Sequence, residues 1–378
     1  MKILHYIRDF RNTSDDTVQS VGRMFSATAK VAENHLLTVF RLPVEIEQTL
    51  SSQYGVVLHY IDAPRRSNPL SYLFLGGKAK KIMKSLAPDV VHIHASWDFC
   101  AAKVEKAARK RKIVTIVSPH GGLAPEIVNP DFWQYRLPRM LAYQNGMMRR
   151  SMAIMTLSEA ERTDVKNQGL RAEARIELLT DAAEQLMPLY RKSLDTAYAS
   201  YMTEEEKGFV HDAVVAAVSD THVGAAGEML TQGLSFRRIF LYAWDEDVTD
   251  LLLQGAEKMQ VQLPPQLNVE QLPRYRNKNS KQRGALIDVA SKPRKIKISA
   301  DHKEEFLAVT LIGKAQSVGK KKMTLRHWTE LYHLFRHIDF NEDDVAKELK
   351  RLGLKKTAKK IQKTLGKHYA MPHGYDIF

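Results

Sequence analysis

A single cysteine, Cys100, stands among 378 residues, so no intramolecular disulfide can form and a reducing compartment is expected. There is no run of about 18 consecutive apolar residues, which excludes a membrane-spanning helix on sequence grounds. The opening stretch, MKILHYIRDF, carries Arg8 and Asp9 where a signal peptide would need an unbroken apolar core. It reads instead as the first strand of a cytoplasmic protein. No internal repeat is evident.

What is present is ordinary for a globular protein: apolar residues make up 44% and charged residues 26% of the chain. The length suits about two domains. The net charge of +14 is distributed unevenly. Residues 1–181 carry 26 basic and 18 acidic side chains, residues 182–275 carry 7 and 14, and residues 276–378 carry 24 and 11. A basic excess of this kind favours anionic partners such as phosphate groups, nucleic acid or an anionic membrane face, and is equally compatible with a solvated charged surface.

The stretch on which the chain is organised is residues 89–126. It predicts a buried strand over 90–94, a short loop with Trp97, a helix, and a second strand over 113–117 that ends in Ser118-Pro119-His120-Gly121-Gly122. Continuous apolar runs point to strands covered on both faces by helices. In an open parallel sheet, ligands bind beyond the carboxyl ends of the strands, where His94 and His120 would both lie. Further strands are expected over 2–7, 35–41, 56–61, 152–157 and 176–179, alternating with helices. One long helix over 132–150, kinked at Pro138, is among them, as is a helix opened by Ser158 and Glu161 with capping-box spacing.

Beyond residue 181 the texture becomes mainly helical. Helices are expected over 203–219 and 246–259, with a strand candidate at 239–244, and residues 274–294 read as a polar linker. Strand candidates at 295–299 and 307–312 and helices over 325–337, 342–352 and 355–365 follow. The domain reading is therefore 1–181, an acidic helix-rich segment 182–273, the linker 274–294, and a basic C-terminal region 295–378. The last two helices, around Gly353, could form a helix-turn-helix with a lysine-rich second helix or an ordinary amphipathic hairpin through Val345, Leu349, Leu352, Leu354, Ile361 and Leu365.

In the order of its elements, residues 1–181 resemble the N-terminal domain of the retaining GT-B glycosyltransferases. The motifs MKILHYI, DVVHIHASW (89–97), PHGGLAPE (119–126), RLPRMLAYQNGMMRRSMAIMTLSEAE (136–161) and IELLTDA (176–182) carry the resemblance. The fold class it implies is α/β: a doubly wound, GT-B-like parallel-sheet domain followed by a divergent, mainly helical C-terminal region. It implies that His120 acts at the cleft, that Gly121 and Gly122 allow close backbone approach, and that His94 and Trp97 line the acceptor side. A histidine beside two glycines can donate a hydrogen bond to a sugar or phosphate oxygen. His92 is expected on the opposite face from His94, in a structural role, and on that ground no metal site is expected. Cys100 is read as a small core residue.

The family's second domain carries a basic residue on the pyrophosphate and a Glu-x7-Glu pair. No two glutamates eight apart follow residue 182. The nearest approximation, Asp220-x7-Glu228, comes too soon after the first domain. LIGKAQSVGKKK (311–322) resembles a strand-glycine-basic segment, which makes Lys314 and Lys320 phosphate-binding candidates. Three readings follow. The first is a divergent glycosyltransferase of polysaccharide assembly, moving a sugar from a nucleoside-diphosphate donor to a polysaccharide or lipid-linked acceptor. It would use no cofactor beyond the nucleotide sugar, and an anionic inner membrane face is a further candidate partner. The second is a non-catalytic sugar- or acceptor-binding subunit with a donor-binding partner. The third is nucleic-acid binding through the basic C-terminus, disfavoured by the lack of an identifiable base reader.

Overall fold

Seven short runs rich in Val, Ile, Leu and His form one parallel sheet: β1 (Lys2–Tyr6), β2 (Glu33–Thr38), β3 (Val57–Tyr60), β4 (Val90–His94), β5 (Val114–Ser118), β6 (Ala153–Thr156) and β7 (Ile176–Leu178). A computed structural model of the chain describes residues 1–61, 71–168, 175–219, 234–264, 281–292, 294–299 and 301–369, in two units, Met1–Tyr201 and Met202–Phe378. The strands lie in the order β3-β2-β1-β4-β5-β6-β7, every pairing parallel. This is the doubly wound α/β sheet expected from the sequence. Winding reverses between β1 and β4, and the crevice beyond their carboxyl ends is the position at which such sheets bind ligands. Register sets His5 of β1 beside His92 of β4, and His94 beside Ser118 of β5.

The first unit's helices are α1 (Asp16–Thr28), α2 (Val44–Tyr54), α3 (Ser71–Leu86), α4 (Phe99–Lys110), α5 (Pro125–Val128), α6 (Leu137–Arg139), α7 (Asn145–Arg150), α8 (Glu159–Asn167), α9 (Ala182–Thr196) and α10 (Tyr198–Tyr201). Asp15 caps α1 by accepting the N–H groups of Thr17 and Val18, which relieves two orphan donors. On one face of the sheet, Ile3, Val90 and Ile116 pack with Met24 of α1 and Leu186 and Tyr190 of α9. On the other, Leu4, Tyr6, Val91 and Ile93 pack under Met83 of α3, Val104 of α4 and Met147 of α7. Alternate residues of each strand thus feed two cores, and each fully buried Leu- or Met-sized side chain contributes roughly 1.5–3 kcal/mol.

The first unit runs to Tyr201, twenty residues past the expected boundary at 181. The reason is α9, whose Leu186, Leu189 and Tyr190 are buried against the sheet and complete its second core. The stretch expected to be one kinked helix over 132–150 is also different. Two π-helical turns, Phe132–Arg136 and Met140–Gln144, alternate with α6 and α7. Pro138 has no N–H to give the carbonyl of Gln134, and the ladder around it shifts to wider bonds, such as Leu137 N–H to Phe132 O.

Among its described residues the second unit contains no strand. Its helices are α11 (Glu204–Val218), α12 (Phe236–Asp245), α13 (Thr249–Lys258), α14 (Lys303–Val318), α15 (Leu325–His337), α16 (Glu342–Arg351) and α17 (Lys355–His368). The strand candidate at 239–244 lies inside α12, where Ile239, Phe240 and Ala243 are buried at helical spacing. The candidate at 307–312 lies inside α14, with Ala308, Val309, Leu311, Ile312 and Ala315 buried. Short apolar runs suit a buried helix as well as a strand, and here the helix prevails. Residues 295–299 form no strand: Ile296 N–H turns back to Arg294 O at 3.0 Å, and Lys297 N–H is taken by Glu348.

Residues 281–292, expected as linker, pack onto this unit through Leu286 and Val289. The rest of that linker, together with Asp220 and Glu228, lies largely outside the described residues. The two C-terminal helices pack on the unit as the apolar spacing requires: Val345, Leu349, Leu354, Ile361 and Leu365 are buried in its core, and Leu352 packs against it.

α11 packs closely on α13 through Ala213 and Gly255. A Cβ on Gly255 would stand 1.8 Å from the carbonyl oxygen of Ala213, a backbone atom that cannot swing away. Gly255→Ala should therefore force the helices apart and lower stability by about 1–3 kcal/mol, read as a lower denaturation midpoint. An unchanged midpoint would show that the contact is looser than described.

Candidate functional site

Four histidines gather at the carboxyl ends of β1, β4 and β5. His5 Nδ1 lies 2.9 Å from His94 Nε2, and His94 Nδ1 lies 3.0 Å from His120 Nε2. His92 is held separately, with Nδ1 2.7 Å from Tyr190 Oη and Nε2 2.7 Å from Ser118 Oγ. His92 and His94 therefore share a face, their ring centroids 4.1 Å apart, contrary to the expectation that alternation would separate them. The physical reason is the strand period of two: residues two apart point the same way.

Burial pushes His5 down to about 3 and His120 down to about 4, and drives His92 and His94 well below the usual histidine range. All four rings are neutral near pH 7. A neutral imidazole has one N–H and one lone pair, so the tautomers of His5, His94 and His120 are coupled and the chain has a single direction. At its inner end Thr28 Oγ1 donates to the Met24 carbonyl at 2.8 Å and lies 3.1 Å from Asn34 Oδ1. His5 Nε2 and the Asn34 NH2 have no hydrogen-bond partner among the described residues, so the run can carry its N–H groups in either direction. Nε2 of His120 belongs to the run, and its Nδ1 is the ring nitrogen outside it.

The loop carrying His120 is tightly tied. His120 has φ 49° and Gly121 φ 71°, both in the left-handed region. Gly121 N–H donates to Glu161 Oε1 at 2.9 Å, while Glu161 Oε2 accepts from Leu157 N–H at 2.7 Å. Glu161, expected as a capping residue, is thus a brace between α8 and the glycine loop. A Cβ on Gly122 would fall 1.8 Å from Ser96 Oγ, so this glycine makes room for the neighbouring loop of the chain itself.

Trp97, at φ 57°, donates Nε1–H to Gly122 O at 2.6 Å, and Tyr143 donates to its carbonyl at 2.9 Å. The Arg136 guanidinium lies 5.2 Å from its ring centre. Beside it Asp98 caps α4 and accepts from Tyr6 Oη at 2.7 Å and Arg8 at 3.2 Å, fastening α4 to the end of β1. Cys100 is buried in the core, as expected of a small core residue.

Of the expected site residues, His120, Gly121, Gly122 and Trp97 come together around this loop. His94 does not face a ligand: it is 2% exposed, both nitrogens are bonded, and it can act only through His120. Lys314 and Lys320 are on or just after α14 in the second unit, not on a strand-turn-helix. The Lys314 ammonium is engaged by the Ile287 carbonyl. Sequence reasoning missed Asn34, Glu161's bracing role and Tyr190. His5, His92 and His94 do place ligand nitrogens within 4.8 Å of one another, but a shared cation would have to displace the bonds to Tyr190, Ser118 and His120 that already satisfy these rings.

Residues 28–179 match the family model described as Glycosyltransferase Family 4. No curated protein matches the chain. Among solved structures, the UDP-GlcNAc 2-epimerase of Neisseria meningitidis bound to UDP-GlcNAc is 13% identical over 71% of this chain and 73% of its own, with a TM-score of 0.36. The UDP-N-acetylglucosamine 2-epimerase of Rickettsia bellii is 14% identical over 57% and 58%, with a TM-score of 0.33. The S. aureus MnaA–UDP co-structure is 11% identical over 57% of each chain, also at 0.33. The chain spans under three fifths of the length of the last two. The first unit is a GT-B glycosyltransferase-like domain.

Two predictions follow from the histidine chain. The folded rings titrate below the unfolded value of about 6.5, so unfolding takes up protons between the two. Stability present at neutral pH should be lost as pH falls from about 6.5 towards 4, with a slope of up to ~1.4 kcal/mol per pH unit for each such ring. His120→Gln should reduce that slope in denaturation curves; an unaltered slope would mean that His120 is not held neutral. Asn34→Asp, whose carboxylate can only accept, should shift His5 and, through the run, His120 towards the Nε2–H tautomer, as read by histidine ¹⁵N chemical shifts. Spectra identical to those of the parent would disconnect Asn34 from the chain.

Proposed function

We propose that this chain is a divergent glycosyltransferase. It would transfer a sugar from a nucleoside-diphosphate donor to a polysaccharide or lipid-linked acceptor, with the first unit holding the acceptor. The observation that carries this reading is the His120 ring, whose Nδ1 lies outside the histidine run, at the switch-point crevice of a domain matching a glycosyltransferase family. A neutral imidazole in that place accepts a hydrogen bond from a sugar hydroxyl. As the acceptor oxygen bonds the anomeric carbon and the bond to the diphosphate breaks, the hydroxyl must lose its proton, and an aligned acceptor helps at that moment. The Trp97 indole stands on the same loop, its ring fixed by the Nε1–H bond to Gly122 O and overlaid by Arg136.

The departing diphosphate gathers negative charge and needs fixed cations or N–H donors. Lys320 is exposed after Gly319 and is the residue of the second unit to test first; Lys320→Ala should weaken donor affinity with little effect on the fold. The nucleotide sugar is substrate, and no further cofactor is invoked. A second reading, a sugar- or acceptor-binding subunit without chemistry of its own, is favoured by one observation: the described residues of the second unit hold no strand and hence no strand-turn-helix for a diphosphate. Calorimetric titration with UDP-, GDP- and ADP-sugars separates the two, since affinity for none of them supports the binding subunit.

His120→Ala should reduce transfer or donor hydrolysis by about 100-fold or more while leaving the circular dichroism spectrum unchanged. With its pKa lowered to about 4, His120-dependent activity should be flat from pH 8 to 6 and fall only as pH approaches 4. Full activity in His120→Ala removes this residue from the mechanism.

A further inference from the structure

The first unit has a charge asymmetry that the sequence hides. α3 carries four lysines and no carboxylate, α4 with its C-terminal turn (to Lys112) carries six basic residues, and residues 132–150 carry four arginines and no carboxylate. These three segments cover the same face of the sheet, with α4 between the other two. Together they hold fourteen of the 26 basic side chains of residues 1–181 but one of the 18 acidic ones, Glu105. That carboxylate is buried and paired with Arg109 and Arg150, so it presents nothing to an outside charge. The remainder of the same stretch is left with twelve basic against seventeen acidic residues.

At one border of this face large apolar side chains stand in water. Trp133 is 79% exposed, Leu141 72% and Tyr135 49%, all on the segment whose helical ladder is widened around Pro138. Within their own segment Trp133 meets the Phe132 ring edge-on and Tyr135 Oη accepts from Gln134 at 3.3 Å, contacts that leave all three side chains exposed, and they are interleaved with Arg136 and Arg139. Through the same segment the border reaches the crevice: Gln144 and Tyr143 bond the backbone of Trp97, and Arg136 lies over its ring.

We propose that this face docks on an anionic lipid bilayer, with Trp133, Tyr135 and Leu141 entering the interface and the lysines and arginines of α3, α4 and 132–150 meeting the headgroups. Charge complementarity selects that occupant. Anionic leaflets attract such clusters additively, Trp and Tyr settle at the headgroup level, and Leu141 gains only where apolar chains are within reach. A nucleic acid would use the cations and could stack on Trp133, but has no place for Leu141. Docking of this kind sets Trp97 and His120 near the membrane surface, where the sugar of a lipid-linked acceptor would be presented. The docking itself does not depend on the transfer reading.

The test is co-sedimentation of the full chain with vesicles of phosphatidylcholine alone and with vesicles containing about one-third phosphatidylglycerol. The chain should sediment with the anionic vesicles only and be released by salt. Lys80→Glu/Lys110→Glu should weaken binding about tenfold or more, and Trp133→Ser/Leu141→Ser should weaken it comparably and abolish the blue shift of tryptophan emission on binding. Circular dichroism checks that both variants fold. The proposal is overturned if anionic vesicles do not retain the chain, or if both variants bind as the parent does. It is equally overturned if the charge variant loses affinity for duplex RNA while vesicles are never bound, or if sedimentation velocity shows a dimer that Trp133→Ser/Leu141→Ser dissolves without any vesicle binding. No arm requires donor or turnover, so failure here leaves the transfer reading standing and its failure leaves docking intact.

Discussion

A buried imidazole must be neutral or paired, and the first unit places three such rings, with a fourth half-buried beside them, where two strands diverge. That requirement organises much of what surrounds them. α9 must be part of the first unit because Tyr190 supplies one of the two partners of His92. Ser118 at the end of β5 must be a hydroxyl because it supplies the other. Asn34 on β2 meets Thr28 Oγ1 at the inner end of the run. Tyr190 and Ser118 come from different elements, and each satisfies a polar atom that would otherwise cost about 1–3 kcal/mol. The bond to His94 holds the inner nitrogen of His120, which makes Nδ1 the ring atom outside the run.

The loop that carries His120 is held by a second, independent device. A histidine and a glycine both in the left-handed region would wander unless anchored, and Glu161 anchors them by taking the Gly121 N–H while its other oxygen takes Leu157 N–H. This uses up an N–H donor of the kind that a phosphate site needs. The crevice therefore offers an imidazole and an indole, groups suited to sugar hydroxyls and pyranose faces, in preference to a nest of N–H groups suited to a diphosphate. Those are the groups that the proposed acceptor role calls for.

The sheet, its helices and the grouping of His120, Gly121, Gly122 and Trp97 were legible because long βα alternation and strand-end motifs are local signals. What was not legible depends on partners far apart in sequence. Tyr190 lies 98 residues from His92, and nothing in the text of α9 announces that its hydroxyl is needed. Glu161 has the spacing of a capping residue, and only the approach of the glycine loop, 40 residues earlier, reveals its second bond. Other differences were matters of reading. His92 and His94 are two apart in a strand, which by itself puts them on one face. The apolar runs at 239–244 and 307–312 have no alternation, and the flanking charged residues at helical spacing decide for α12 and α14. Lys314 and Lys320 drew attention through a glycine and a lysine run that turn out to be the interior and end of a helix.

Net charge illustrates the limit of summation along a chain. Counted by segment, the basic excess belongs to the C-terminus, and the first 181 residues are only mildly basic. Folded, those residues separate by face, because the helices covering one side of the sheet are lysine- and arginine-rich while the acids sit elsewhere. A field acts on arrangement in space over distances of about a Debye length, roughly 8–10 Å, so a face that concentrates one sign is felt even when the average is small. The exposed Trp133 and Leu141 lie at the edge of that face where the widened helix meets Trp97. A π-helical bond takes one more residue into the turn and so shifts the faces of the residues that follow it; the same segment buries Gln144 and Met147 and leaves Trp133 and Leu141 exposed. The irregularity forced by Pro138 thus joins the indole beside the crevice to the most exposed apolar side chains of the unit.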